Sequence, residues 1–228
     1  MTPNPIIVAL DVESAAEARA LVSTLGPRIG FYKVGMELYA AAGMEFVREL
    51  AAQGKDVFLD LKLYDIPETV KRATAQVART GVRFLTVHAV GSVMRAAAEG
   101  KCGSGLKLLA VTVLTSFGPE DLRDLGYDCA VSELAERRAL QAMAAAMDGV
   151  VTSPLEAAAV RRAIGPNAIL VTPGVRSAAA GRGDQKRVAT PAEAIRNGAD
   201  YLVIGRQITR AADPAAEAGR ILEEIAAG

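Results

Sequence analysis

The chain has 228 residues, 51% of them hydrophobic, and its 26 basic residues balance 26 acidic ones. That length suits one large domain or two small ones, with ample apolar area for a core. A net charge of zero gives no global basic field for nucleic acid and no polybasic patch for a membrane surface.

The N-terminal MTPNPIIVALD lacks a basic region followed by a long apolar segment, so no signal peptide is expected, and no run approaches the length of a membrane span. Strands are predicted over Ile6–Val12, Gly30–Met36, Asp56–Lys62, Phe84–His88, Leu108–Leu114, Gly149–Thr152, Ala168–Thr172 and Tyr201–Ile204. Helices are predicted between them, over Ala15–Leu25, Met44–Gln53, Glu68–Thr80, Leu155–Ile164, Ala192–Asn197 and Ala215–Ala226, and Pro119–Met147 is long enough for two more. Gly54, Gly81, Gly165 and Gly198 fall where helix C-caps belong. Thr190-Pro191-Ala192-Glu193 reads as a capping box, and Asp213-Pro214 repeats the cap-then-proline signal. The two cysteines, Cys102 and Cys129, lack metal or redox spacing and are expected as reduced thiols in a cytoplasmic protein.

Eight strand-then-helix units without a linker imply parallel strands joined by right-handed crossovers. The expectation is an α/β fold, a single (β/α)8 TIM barrel domain over residues 1–228. An open, doubly wound sheet is the alternative. ALDVES after the first strand is no G-x-G-x-x-G, which argues against a dinucleotide site.

Polar residues gather at the C-terminal ends of these strands, where barrel active sites lie. Phe58 to Val70, FLDLKLYDIPETV, sets Asp60, Lys62 and Asp65 into an apolar run. Charged side chains are almost never fully buried unpaired. Asp60 and Lys62 are two apart and share a strand face, with Leu59, Leu61 and Leu63 on the other. A structural ion pair is the competing reading, but buried pairs rarely outdo apolar substitutes in stability. Asp11 ends the first strand; it could cap the following helix, although Ser14 is better placed. Lys33 stands inside the second strand, and His88, the only histidine, ends the fourth. A lone strand-end histidine is more often a satisfied polar group than a catalyst. Thr115 and Ser116 follow the fifth strand and could merely begin a turn, and Ser153 is read as a cap for the helix after Pro154.

After strands seven and eight come Pro173-Gly174-Val175-Arg176 and Gly205-Arg206. Loops in these two positions commonly form a phosphate site in such barrels. The stretch VRSAAAGRGDQKRVA is too long for an ordinary connection. It reads as a surface loop, or as a lid that closes on a phosphate through Gln185 and Arg176.

These residues carry a resemblance over essentially the whole chain. D-x-K-x-x-D-I-P-x-T is unbroken at Asp60, Lys62, Asp65, Ile66, Pro67 and Thr69. Around it stand ALD (Asp11), YKVG (Lys33), VLTS (Thr115, Ser116), TPGVR (Pro173, Arg176), GDQKR (Gln185) and VIGR (Gly205, Arg206). In this order the motifs resemble the bacterial orotidine 5′-phosphate decarboxylase family, with no departure at a position that family uses.

The resemblance implies decarboxylation of orotidine 5′-monophosphate to uridine 5′-monophosphate without metal or organic cofactor. It assigns an alternating catalytic array, Lys33–Asp60–Lys62–Asp65, to the reacting carbon, with Lys62 as proton donor to C6, Asp60 beside the substrate carboxylate, and Asp11 and Lys33 holding the ribose and orienting the array. Thr115 and Ser116 would meet the pyrimidine edge. Gln185, Arg206 and the Gly205 amide would take the phosphate, with Pro173 and Arg176 close by. Asp65 and Thr69 would enter the neighbouring subunit's site, making a homodimer the working unit. No nucleic acid or membrane partner is expected. Two rivals follow. Magnesium-dependent sister enzymes share D-x-K-x-x-D but typically carry a glutamate in place of Lys33, and a non-catalytic phosphate sensor would need only the phosphate grip.

Overall fold

The computed structural model describes residues 4–177 and 189–227. Its eight strands, β1 (Ile6–Ala9), β2 (Phe31–Gly35), β3 (Asp56–Leu63), β4 (Phe84–His88), β5 (Lys107–Val111), β6 (Gly149–Val151), β7 (Ile169–Pro173) and β8 (Tyr201–Ile204), close in sequence order. Every neighbouring pair is parallel, and β8 returns to β1. The open-sheet alternative is excluded.

Strand periodicity explains the layering. Tyr32, Val34, Leu59, Leu85 and Leu108 point outward into the core shared with the helices. Ile7, Phe31, Phe58, Phe84, Leu109, Val171 and Val203 point inward and fill the barrel. Phe31, Phe84 and Tyr201 pack edge-on or tilted at the N-terminal end. The Arg83 guanidinium lies over all three rings and bonds Asp56 and the Tyr201 hydroxyl. The barrel floor is therefore plugged by packed rings. Above it the inward positions turn polar.

The surrounding helices follow their end signals. α1 (Ala15–Leu25) is capped by Ser14, whose Oγ accepts from the Glu17 N–H. Asp11 is thus released from capping. α2 (Met36–Ala52) begins well before the predicted Met44, because a break at Gly43 (φ 61°) joins two helical pieces. α3 (Pro67–Val77) starts on a proline. α4 (Gly91–Lys101) packs so closely on α3 that a Cβ at Gly100 would fall 2.3 Å from the Lys71 carbonyl oxygen. The long 119–147 segment does hold two helices, α5 (Pro119–Asp124) and α6 (Val131–Ala144). α7 (Ala157–Ile164) opens after a turn held by Ser153, whose Oγ accepts from Leu155 rather than capping the helix itself. The capping box at Thr190 and Glu193 forms at the head of α8 (Pro191–Arg196). Two more, α9 (Arg206–Thr209) and α10 (Pro214–Ala227), follow β8.

β1 ends at Ala9 and β5 at Val111, short of the predicted Val12 and Leu114. Sheet pairing stops where the chain turns outward, which leaves Asp11, Thr115 and Ser116 on the rim. Cys102 and Cys129 are free thiols. Among the described residues no helix is long and apolar enough to cross a membrane.

Candidate active site

The polar inward positions form one row across the mouth. Lys33 on β2 donates to Asp11 Oδ1 at 2.8 Å and stands 3.8 Å from Asp60 Oδ2 on β3. Lys62, two residues on, donates to that same Asp60 oxygen at 2.9 Å. The order is acid, base, acid, base. Lys33, Asp60 and Lys62 keep 11%, 12% and 26% of their side-chain surface, so the attractions act with little solvent screening. Burial alone would raise the Asp60 pKa, but Lys33 and Lys62, with bonds from Lys62 and Thr86, hold it below the ordinary carboxylate value.

The backbone beneath this row departs from a plain strand. The β3–β4 register shifts between Leu59 and Leu63, and Lys62 has φ 50°, a left-handed conformation unusual for a long side chain. The same-side placement of Asp60 and Lys62 nevertheless holds, with Leu59, Leu61 and Leu63 all packed outward. Thr86 on β4 secures the irregularity. Its Oγ1 accepts from the Lys62 N–H at 2.9 Å and donates to Asp60 Oδ1 at 2.8 Å, and the residue is fully buried. Nothing in the sequence separates Thr86 from any other β-branched strand residue.

Gly35 matters for what it omits. A Cβ there would stand 2.9 Å from the Lys33 Nζ, although the backbone at this position is ordinary (φ −93°). The missing side chain leaves room for the ammonium.

Next to Lys33, a cleft of about 150 Å³ runs toward β7 and β8, lined by Asp11, Pro173, Arg176, Gly205 and Arg206 among others. This end is cationic, and its two arginines come from the two connections expected to hold an anion. Gln185 lies outside the described residues. Thr115 is half-buried and Ser116 exposed in the turn after β5, beyond the residues that line the cleft. Arg138 on α6 bonds the Thr112 carbonyl and the Tyr127 hydroxyl, bracing the base of that turn. His88 sits at the rim with its ring 5.5 Å from that of Tyr64. Burial, then the charges of Lys62 and Arg138, push its pKa below the ordinary histidine value.

Asp65 and Thr69 do not join the cluster of their own chain. Both are exposed, and Asp65 Oδ1 accepts from the Ile66 N–H. Tyr64 and Ile66 beside them are 68% and 67% exposed, an apolar surface flanking a carboxylate.

A larger groove of about 770 Å³ opens at the opposite end, against Pro5, Ile169, Ile195, Tyr201 and Leu222. It lies at the stability end of the barrel and holds no alternating charge row, so the smaller cleft is the candidate site. Among the described residues no group of three or more His, Cys, Asp or Glu could hold a metal ion.

Residues 4–221 match the family described as Orotidine 5′-phosphate decarboxylase / HUMPS. An orotidine 5′-phosphate decarboxylase of Bradyrhizobium sp. (strain ORS 278) is 54% identical over 97% of this chain and 91% of its own length. One of Methylobacterium sp. (strain 4-46) is 52% identical over 99% of this chain and 98% of its own. Among solved structures, the orotidine 5′-phosphate decarboxylase of Lactobacillus acidophilus superposes with a TM-score of 0.86 at 37% identity, covering 97% of this chain and 99% of that one.

Proposed function

The chain belongs to the orotidine 5′-phosphate decarboxylase / HUMPS family, and we propose that its Lys33–Asp60–Lys62 row performs the decarboxylation. The protein is an enzyme that converts orotidine 5′-monophosphate to uridine 5′-monophosphate and carbon dioxide, a step of pyrimidine biosynthesis.

The bond to C6 breaks with its electron pair left on carbon, in a vinyl-type orbital that the ring does not delocalise. Positive charge must therefore stand in place before the pair develops. The Lys62 ammonium fills that role. It is held by Asp60 on one side and by a backbone that Thr86 pins, so little reorganises during the reaction. As carbon dioxide departs, Lys62 gives its proton to C6 and is reprotonated from solvent. Asp60 lies against the substrate carboxylate, and Lys33 with Asp11 orients the ribose. Thr115 and Ser116 meet the pyrimidine edge.

Arg176, Arg206, the Gly205 amide and Pro173 form the phosphate end, and the resemblance adds Gln185. That end is remote from the breaking bond, so its binding energy serves to hold substrate and exclude water. Asp65 and Thr69 act in a second subunit's site. Their exposure beside the apolar Tyr64 and Ile66 supports a homodimer. The two free thiols support a cytoplasmic setting.

The observation that carries this reading is an acid–base–acid–base row at the barrel mouth, its inner members Lys33 and Asp60 largely buried. Loss of orotidylate absorbance on adding purified protein to chelator-treated buffer tests it. Lys62→Ala should lower turnover by at least about a thousandfold while uridine 5′-monophosphate still binds. Undiminished turnover in that variant would overturn the role of Lys62. Activity lost to the chelator and restored by magnesium would overturn the metal-free mechanism.

A further inference from the structure

Arg176 and Arg206 reach the cleft from separate connections, and the residue after each is tied to the residue after the other. The Ser177 N–H donates to Gln207 Oε1 at 3.1 Å, and Gln207 Nε2 donates back to Ser177 Oγ at 2.9 Å. The second Nε2 hydrogen goes to Glu217 Oε1 on α10 at 2.8 Å, and Ser177 Oγ donates to Glu224 Oε2 at 2.5 Å. Glu217 is only 6% exposed and also pairs with Arg220. Gln207 itself lines the cleft. Its amide spends both hydrogens and its oxygen on this strap.

We infer that Gln207 is a positioning residue for the phosphate end of the site, fixing the span between the Arg176 and Gly205-Arg206 segments. A primary amide can do this where most side chains cannot. It must donate to a carboxylate and to a hydroxyl while accepting from a backbone N–H, and only a group with two donors and an acceptor in one plane meets all three. The strap has a second effect. Glu217 and Glu224 lie behind the cleft, and two carboxylates facing an incoming phosphate would repel it. Gln207 and Ser177 stand between, each with a hydrogen turned toward a carboxylate. The substrate anion therefore meets the cationic face without moving the acids.

The inference rests on the reading that Gly205 and Arg206 hold the phosphate, and the experiment separates the two. Dissociation constants of uridine 5′-monophosphate and of uridine are measured by calorimetry for the full chain, for Arg206→Ala, and for Gln207→Leu. Wild type should favour the nucleotide strongly, and Arg206→Ala should erase that preference. Gln207→Leu, similar in size but unable to bond, should weaken the nucleotide about tenfold and leave uridine unmoved. Should Gln207→Leu fail to fold, Gln207→Asn carries the same expectation, since its shorter amide cannot span Ser177 and Glu217 together. A wild-type preference retained in the folded variant, or an equal loss for both ligands, overturns the role of Gln207. No nucleotide preference in wild type, or one that survives Arg206→Ala, overturns the phosphate reading instead.

Discussion

Replacing Thr86 by valine keeps the shape of the buried side chain and deletes one oxygen. That oxygen holds two groups at once, the Asp60 carboxylate at 2.8 Å and the Lys62 N–H at 2.9 Å. A hydrogen bond to a charged acceptor contributes about 1.5–3 kcal/mol, and an amide left buried without a partner costs about 1–3 kcal/mol. The expected loss of stability is on the order of 3 kcal/mol, within reach of a domain stabilised by roughly 5–15 kcal/mol. The catalytic cost follows from the same bond. If Asp60 and Lys62 are held in reacting geometry by Oγ1, kcat should fall about 10–100-fold. Urea denaturation followed by circular dichroism reads the first quantity, and orotidylate absorbance the second. Thr86→Ser restores the hydroxyl and should recover most of kcat. A valine variant with wild-type kcat and unfolding within about 0.5 kcal/mol of the parent would refute this reasoning.

Two further outcomes test other parts of the site. Mixing Lys62→Ala with Asp65→Ala, each inactive alone, should recover about a quarter of wild-type activity after subunit exchange, because half the dimers then carry one intact site; no recovery would show that Asp65 does not act across an interface. His88, the only histidine, should titrate in proton NMR below 6.5, since burial, Lys62 and Arg138 all disfavour its charged form. With the folded pKa lowered, the unfolded chain binds more protons between that value and 6.5. Stability should therefore fall as pH drops through that window, and the slope should vanish in His88→Gln. A midpoint at or above 6.5 would contradict the placement of His88 beside Lys62.

The barrel was legible because parallel strands covered on both faces read as apolar runs, and all eight were found within a few residues. Asp11, Lys33, Asp60 and Lys62 were legible for the opposite reason, as charges where apolar residues belong. Thr86 was not, since threonine in a buried strand has packing enough to explain it. The left-handed backbone at Lys62 left no trace either, because that conformation ordinarily announces itself through glycine or asparagine. The helical residues from Met36 up to the break at Gly43 lie ahead of the helix predicted from Met44 and were not legible. Gln207 stood beside a recognised Arg206, but its partners Ser177, Glu217 and Glu224 meet only in three dimensions. Asp65 shares a motif with Lys62, and only its exposed side chain separates the two.

Gly35 gives the site an unusual handle. Its backbone would accept any residue, and the atom that a methyl group would press on is the far end of a flexible lysine. The fold would absorb such a change easily, while the Lys33 ammonium would have to leave its place between Asp11 and Asp60. Most ways of probing a charge row delete a charge and so alter position and electrostatics together. Here a single carbon can shift one member and leave every charge present, so that distance becomes the only variable.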